Sequence, residues 1–426
     1  MFIVQDLLTF IAQSPSPFHA ARASEGLLRD AGFAPLTWGE PWLLQPGKSY
    51  YTKVFGSSLF AFRIGEKSPR GLRIAAAHTD FPGFRVKPRA GEARDGYGMV
   101  NVEPYGGLIL SSWLDRPLSL AGEVVLRGKA PFPPEPYLID LARPILTIPR
   151  LAIHMNRDVN TQGEKLDRQT SLTPLASLLG KETGADFFLA KLAREIGHAP
   201  DDILSYDLTL YAAESGCTLG FDSELISAPR LDNLAGVRAC LDGLVDSEAA
   251  KGIQLVALFD HEEVGSRTKQ GAASSLLSQL LSAIYRGLEL DPDDLLADTA
   301  RGFLLSVDAA HALHPNYPDK ADPTNRPRLG GGLAIKQAAS QSYAGDAAAQ
   351  AILAELCRQH DIPCQTFANR SSIPGGATLG AIAAANLVMR GQDVGVPLLA
   401  MHAARETMAA ADQEALTRLV RAFFSD

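Results

Sequence analysis

Four apolar segments of this chain each run straight into a side chain that can bind metal. They are residues 71–77 ahead of His78, 254–259 ahead of Asp260-His261-Glu262-Glu263, 302–307 ahead of Asp308, and 396–401 ahead of His402. Short runs with few polar positions read as strands buried on both faces of a sheet. Ligands in open α/β sheets bind outside the carboxyl ends of the strands. Strand ends that carry His and carboxylate therefore predict one shared pocket. A fifth candidate, Asp232, opens an expected helix.

The order of elements fits that frame. Helical spacing covers residues 2–12, and Ser14-Pro15-Ser16-Pro17 stops the helix. A second helix is expected over 20–31, then a strand–turn–strand region to Gly65 and a buried strand over 71–77. From about Phe84 to Pro229 the β–α alternation is missing. Short β runs are expected at 108–112, 118–127 and 206–213, with helices at 171–180 and 185–197. From Leu231 the alternation returns, with helices at 232–246, 271–288, 344–359, 377–388 and 408–423. Strands are expected at 253–259, 302–307, 363–368 and 396–401. Strands alternating with helices imply a mainly parallel sheet flanked by helices. The expected fold is α/β, built from residues 1–85 and 230–426, with an inserted mostly-β domain over 86–229.

Composition narrows the partners. The net charge of −8 over 426 residues argues against nucleic acid or an anionic membrane, each of which needs a basic face. No uncharged apolar stretch reaches the length of a membrane span. Asp6 interrupts the first apolar run and no basic segment precedes it, unlike a signal peptide. Cys217, Cys240, Cys357 and Cys364 lack CxxC spacing and read as reduced thiols of a cytoplasmic protein.

Each candidate has a plainer reading beside the functional one. His78 with Asp80 is a strand-end His and a turn Asp, or a metal ligand whose other ring N–H is held by a carboxylate. Asp232 caps a helix, or bridges two metal ions. Glu262-Glu263 is a solvated acidic turn, or a ligand beside a general base that takes a proton from water and passes it to a leaving amine. Asp308 and His402 alone are ordinary strand-end residues. His261, His311 and His314 are expected near the same edge, and within Asp308 to His314 at most one is expected to touch metal or substrate. The Gly-rich turn Ser371-Ser372-Ile373-Pro374-Gly375-Gly376 is a tight connection or an anion site. Together, the five on one sheet edge make chance the poorer explanation. His and carboxylate donors without cysteine suit Zn²⁺ or Mn²⁺ in an open site, rather than structural zinc.

These residues resemble the aspartyl aminopeptidase family of zinc metallopeptidases along nearly the whole chain. The resemblance rests on Ala77-His78-Thr79-Asp80, Leu231-Asp232-Asn233-Leu234, Glu262-Glu263-Val264-Gly265-Ser266 and Ser306-Val307-Asp308-Ala309-Ala310-His311. His314-Pro315-Asn316-Tyr317, Ser371 to Gly376 and Met401-His402-Ala403-Ala404-Arg405-Glu406 extend it. It implies a zinc exopeptidase-like fold holding two divalent ions, Zn²⁺ foremost, with Mn²⁺ or Co²⁺ as substitutes. Asp232 would bridge them, His78 and Asp308 completing one site, Glu263 and His402 the other. Glu262 would be the general base and Asp80 the orienter of His78. The implied substrate is a peptide with an N-terminal Asp or Glu. The insertion would be a dimerisation domain of a homo-oligomer, a dodecamer on the family pattern, whose His154 reaches a neighbouring active site. By the residues alone, His154 reads as an ordinary strand residue. Lys336, ahead of Tyr343, would supply the cation for an acidic side chain. The segment Lys320-Ala321-Asp322-Pro323-Thr324-Asn325-Arg326-Pro327 departs from the family's His/Glu-rich pattern, which bears on substrate preference. Other readings of the ligand set are a neutral aminopeptidase, a carboxypeptidase, a deacylase or a phosphatase-like enzyme. From another class comes a catalytically silent assembly protein.

Overall fold

The computed structural model describes residues 2–180, 186–248 and 251–426. Residue 185, where the second helix expected within the insertion would start, lies outside them. The chain forms two units, one of residues 1–80, 216–401 and 406–426, the other of 81–215 and 402–405.

In the first unit, alternation of side chains across a strand explains the core. Leu72, Ile74 and Ala76 belong to one buried cluster, while Ala75 and Ala77 belong to another. The neighbouring strand Lys251–Phe259 divides the same way, with Val256 and Leu258 on one side and Leu255, Ala257 and Phe259 on the other. A strand buried on both faces has no polar side to show, hence its continuous apolar run. Helix Leu276–Gly287 covers one face with Leu277, Leu280, Leu281 and Ile284. Helices Leu231–Asp246 and Ala410–Ser425 bury Leu234, Leu241, Leu416 and Leu419 in the other cluster.

The sheet has nine strands, and five of its eight pairings are parallel. At its centre lie Lys251–Phe259, Ser68–His78, Phe303–Val307 and Gly391–Gly395, side by side and all parallel. The fold is therefore α/β with a mixed sheet, as the alternation implied. The strand expected at 396–401 falls outside this sheet. Residues 391–395 enter the large sheet, whereas Pro397–Leu399 pairs with Ala310–His311 and Glu406–Ala409 in a separate five-stranded sheet. Pro397 has no N–H to give a central strand, so the run breaks there. Gly395 has no side chain because a Cβ there would collide with the Asp308 carbonyl. The helix Pro292–Arg301 was not anticipated. Asp291 caps it, with Pro292 in the first turn.

The second unit is built on a six-stranded antiparallel sheet. Phe84, Val100, Trp113, Leu120 and Leu210 fill its core, with Phe187, Phe188 and Leu192 of helix Phe187–Ile196. Two sequence expectations fail here. Residues 171–180 hold the strand Leu175–Leu178 rather than a helix, since Pro174 disfavours helical backbone at Thr173. Residues 108–112 form no strand; the chain turns through the short 3₁₀ segment Leu110–Trp113, and Ser112 Oγ donates to the Ile109 carbonyl. Among the described residues no helix is long and apolar enough to cross a membrane.

Candidate metal centre

Register brings the strand ends level. His78 stands opposite Phe259, so the next residues of that neighbour, Asp260 to Glu263, begin where Ser68–His78 stops. Phe303–Val307 lies on the other side of the same strand and ends one residue before Asp308. Parallel strands point their ends the same way, and His78, Glu262, Glu263 and Asp308 all leave from one edge.

Asp232 arrives from the start of helix Leu231–Asp246. It does not cap that helix; Arg230 takes the N-cap position in left-handed backbone. Asp232 and Asn233 are themselves non-helical and are joined by a cis peptide bond. The Asp232 N–H donates to Glu406 Oε2 at 3.0 Å, and Asn233 Nδ2 donates to the Val307 carbonyl at 2.7 Å. The second bond ties this bend to the strand that precedes Asp308. Gly236 leaves room for it, since a Cβ there would strike Asn233 Oδ1.

The tautomer of His78 follows from its neighbour. Nδ1 lies 3.0 Å from the Asp80 carbonyl oxygen, which can only accept, so Nδ1 carries a proton and, in the neutral ring, Nε2 presents its lone pair. Nε2 is 3.6 Å from Asp232 Oδ1 and 3.7 Å from Asp308 Oδ1. Burial pushes the imidazole pKa down, but Asp232, Asp308 and Asp80 outweigh it and hold it well above its ordinary value. Burial, with Asp308, Asp80 and Asp232 adding repulsion against the pull of His78, raises Glu262 to about 8.

Asp80 acts on two sides. Its Oδ1 lies 3.4 Å from His78 Nδ1. Its two carboxylate oxygens accept the backbone N–H groups of Glu262 and Glu263, each at 3.1 Å. Asp260 holds the same turn from behind, accepting from His261 N at 2.7 Å and from Ser57 Oγ at 2.5 Å. Sequence reasoning gave no role to Glu406 or Ser57, and took Asp260 only as part of a metal-capable segment rather than as the brace of this turn. Glu406 ends the segment Met401 to Glu406, but nothing in its spacing points to Asp232.

Five carboxylates and one imidazole with few cations call for positive charge. The donors suit a divalent ion. Ligand atoms of His78, Asp232 and Asp308 all lie within 4.8 Å of one another, as do those of His78, Glu262 and Glu263. Separations of 3.6 and 3.7 Å are too long for hydrogen bonds. They are close to the ~3.4 Å edge that donors about 2.1 Å from a tetrahedral zinc would make.

The remaining candidates lie as follows. Lys336 is only 2 % exposed; its Nζ donates to the Ala309 carbonyl at 2.7 Å and lies 3.9 Å from Asp308 Oδ2. Burial lowers its pKa, but Asp308 and Asp393 more than reverse this, so the ammonium stays charged. Tyr343 packs its ring 5.1 Å from that Nζ, and its hydroxyl accepts from Asn369 Nδ2. His402 opens the segment 402–405 in the second unit, where Nδ1 donates to the Gly107 carbonyl at 3.0 Å and directs Nε2 elsewhere. His154, also in the second unit, lies in the exposed 3₁₀ turn Ile153–Met155 rather than in a strand. His311 packs its ring on Phe367.

Comparison with known proteins gives the family. The family model described as aminopeptidase I zinc metalloprotease (M18) matches residues 10–424. The chain belongs to the M18 family. A probable M18 family aminopeptidase 2 of Clostridium novyi is 42 % identical over 99 % of this chain and 98 % of its own. The Ape4 chain of a cryo-EM complex with Nbr1 superposes with a TM-score of 0.94 at 34 % identity, over 99 % of this chain and 85 % of that one. The dodecamer of S. cerevisiae mApe1 matches with a TM-score of 0.84 over 99 % of this chain and 96 % of its own; at 24 % identity it speaks to fold alone. This M18 chain is a zinc metalloaminopeptidase.

Proposed function

We propose that this M18 aminopeptidase holds two divalent ions, zinc foremost, and releases N-terminal Asp or Glu from peptides. The observation that carries the reading is the meeting of His78, Asp232 and Asp308 with the Glu262–Glu263 turn at one sheet edge. His78, Asp232 and Asp308 would hold one ion; Asp232, Glu263 and His402 the other. Such ions supply Lewis acidity to the scissile carbonyl and acidify the attacking water.

The chain's own groups do the rest. Glu262 accepts the proton of the attacking water and returns it to the leaving amine. Asp80 positions Glu262 through its N–H and His78 through its ring, so one side chain fixes both the base and a ligand. Lys336 is the cation for the acidic side chain, and Tyr343 lines that pocket. Its site beside Asp308 supports the assignment, because a carboxylate there would sit next to the ligand set.

Self-association into a homo-oligomer, a dodecamer as printed for S. cerevisiae mApe1, belongs to the same proposal. In the second unit Leu151, Ile153 and Met155 are 63 %, 47 % and 73 % exposed around His154. Apolar groups clustered in this way favour a protein partner. The proposed setting is cytoplasmic, in keeping with Cys240, Cys357 and Cys364, which form no disulfide.

The test is hydrolysis of aminoacyl chromogenic substrates by protein reconstituted with Zn²⁺, Mn²⁺ or Co²⁺, against chelator controls. Metal-dependent cleavage peaking at Asp and Glu supports the reading. A peak at neutral residues keeps the metal chemistry and removes the role of Lys336.

A further inference from the structure

A second cationic feature lies beyond Lys336, in the first unit. A cleft of about 230 Å³ opens beside His311 and the segment 320–327. Lys320, Arg326 and Arg370 line it, with Asp322 the sole acid among the described lining residues. This excess of positive charge stands out in a chain of net charge −8.

None of that charge is cancelled locally. Lys320 and Arg326 are exposed and have no carboxylate within ion-pair distance among the described residues. Arg370 donates to neutral acceptors, the Asp319 carbonyl and Ser372 Oγ. The Asp322 carboxylate faces inward to its own turn, where one oxygen accepts from Asn325 N, Thr324 N and Asn325 Nδ2. Those bonds, the one from Asn325 N foremost, hold its carboxyl at about 2. An acid so committed is poorly placed to neutralise three cations across the cleft.

The cleft adjoins the candidate centre without sharing its buried cation. Lys336 packs on Tyr343, Tyr343 on Phe367, and Phe367 on His311. Phe367, His311 and Asn369 belong to the cleft wall, and Asn369 donates to the Tyr343 hydroxyl. Two rings in contact separate Lys336 from the cleft. One Asp or Glu side chain is too short to serve both cationic places, so a carboxylate in the cleft belongs to another residue of the peptide.

We propose that this cleft binds a carboxylate carried by the peptide beyond its N-terminal residue. The inference rests on the aminopeptidase reading above. It makes Lys320, Arg326 and Arg370 specificity-determining residues for the downstream part of the substrate. Arg presents a planar fork to a carboxylate and Lys a point charge, and the cleft holds both.

The test compares peptide amides that share one N-terminal residue and carry Glu or Gln at the second or third position. In wild type, kcat/KM for Glu over Gln should reach about tenfold at one of those positions, as a charge-assisted contact gives. In the double variant Lys320→Gln, Arg326→Gln that ratio should fall to near one. A wild-type ratio near one, or a ratio unchanged in the variant, overturns the proposal. So does a variant that alters only the preference for Asp over Asn at the N-terminus, which would give the cleft to the N-terminal side chain. Binding decides the matter apart from turnover. The same peptides, N-acetylated so that an aminopeptidase leaves them whole, are titrated into zinc-loaded protein. Tighter binding of the Glu peptide, about tenfold and lost in the variant, supports the cleft; equal binding of Glu and Gln overturns it. Absence of hydrolysis with every free-amine peptide would refute the aminopeptidase reading and leave that binding comparison to judge the cleft.

Discussion

Nε2 of His78 stands 3.6 Å from Oδ1 of Asp232, with the ring proton held on Nδ1 by the Asp80 carbonyl. In the neutral ring, two electron-pair donors face each other at a distance that favours a shared cation over a hydrogen bond. Asp232→Ala should therefore lower zinc content, measured by elemental analysis of dialysed protein. Chelation should also lower the thermal midpoint of wild type, because a ligand present at about 1,000 times its Kd stabilises the native state by ~4 kcal/mol. Full zinc occupancy in Asp232→Ala would remove this residue from the ligand set.

Glu262→Gln separates chemistry from binding. Gln keeps the shape and the backbone N–H to Asp80 but cannot accept a proton. The expected loss in kcat is about 10²–10⁴-fold, the usual contribution of general base catalysis, with zinc content and oligomeric state retained. Turnover near wild type would show that another group moves the proton.

Much of this was legible in the sequence because burial on both faces writes itself as an apolar run. The strands Lys251–Phe259 and Phe303–Val307 lie within a residue or two of where the runs placed them. Helix Leu231–Asp246 begins where Leu231 suggests, but of the two readings of Asp232 the cap does not hold. A cap and a kinked entry share one sequence pattern, and only Glu406 and Val307, far along the chain, show which occurs. The run 396–401 misled for a different reason. Periodicity reports burial and not partners, and Pro397 sends those residues to a second sheet. The link from Asp80 to the Glu262 and Glu263 N–H groups was likewise hidden, since the donors that reach a carboxylate are set by register across 182 and 183 positions.

Lys336→Met tests the acidic pocket. Met fills similar space without charge, so the ratio of kcat/KM for Asp over Leu substrates should drop about tenfold or more, the value of one charge-assisted contact. Because Nζ also holds the Ala309 carbonyl next to Asp308, zinc content is the control. A drop in activity that is equal for Asp and Leu, with zinc lost, would mean that Lys336 serves the ligands rather than the substrate.

The buried Asp412 predicts a pH dependence outside the metal centre. Its oxygens accept from Gly332 N at 2.8 Å and Gly330 N at 2.9 Å. Burial nonetheless prevails and raises its pKa from 3.8 to about 6. The native state then binds this proton more tightly than the unfolded chain does. Between about pH 4 and pH 6 stability falls as pH rises, and above pH 6 the full cost of the buried charge remains. A shift of this size corresponds to ~3 kcal/mol. Asp412→Asn lacks the ionisation, and carboxylates elsewhere titrate alike in both proteins. Denaturation of the metal-free proteins should show wild type gaining about 2–3 kcal/mol on the variant between about pH 7 and pH 4. A stability difference that stays constant across that range would mean that the two glycine N–H groups compensate the charge in full.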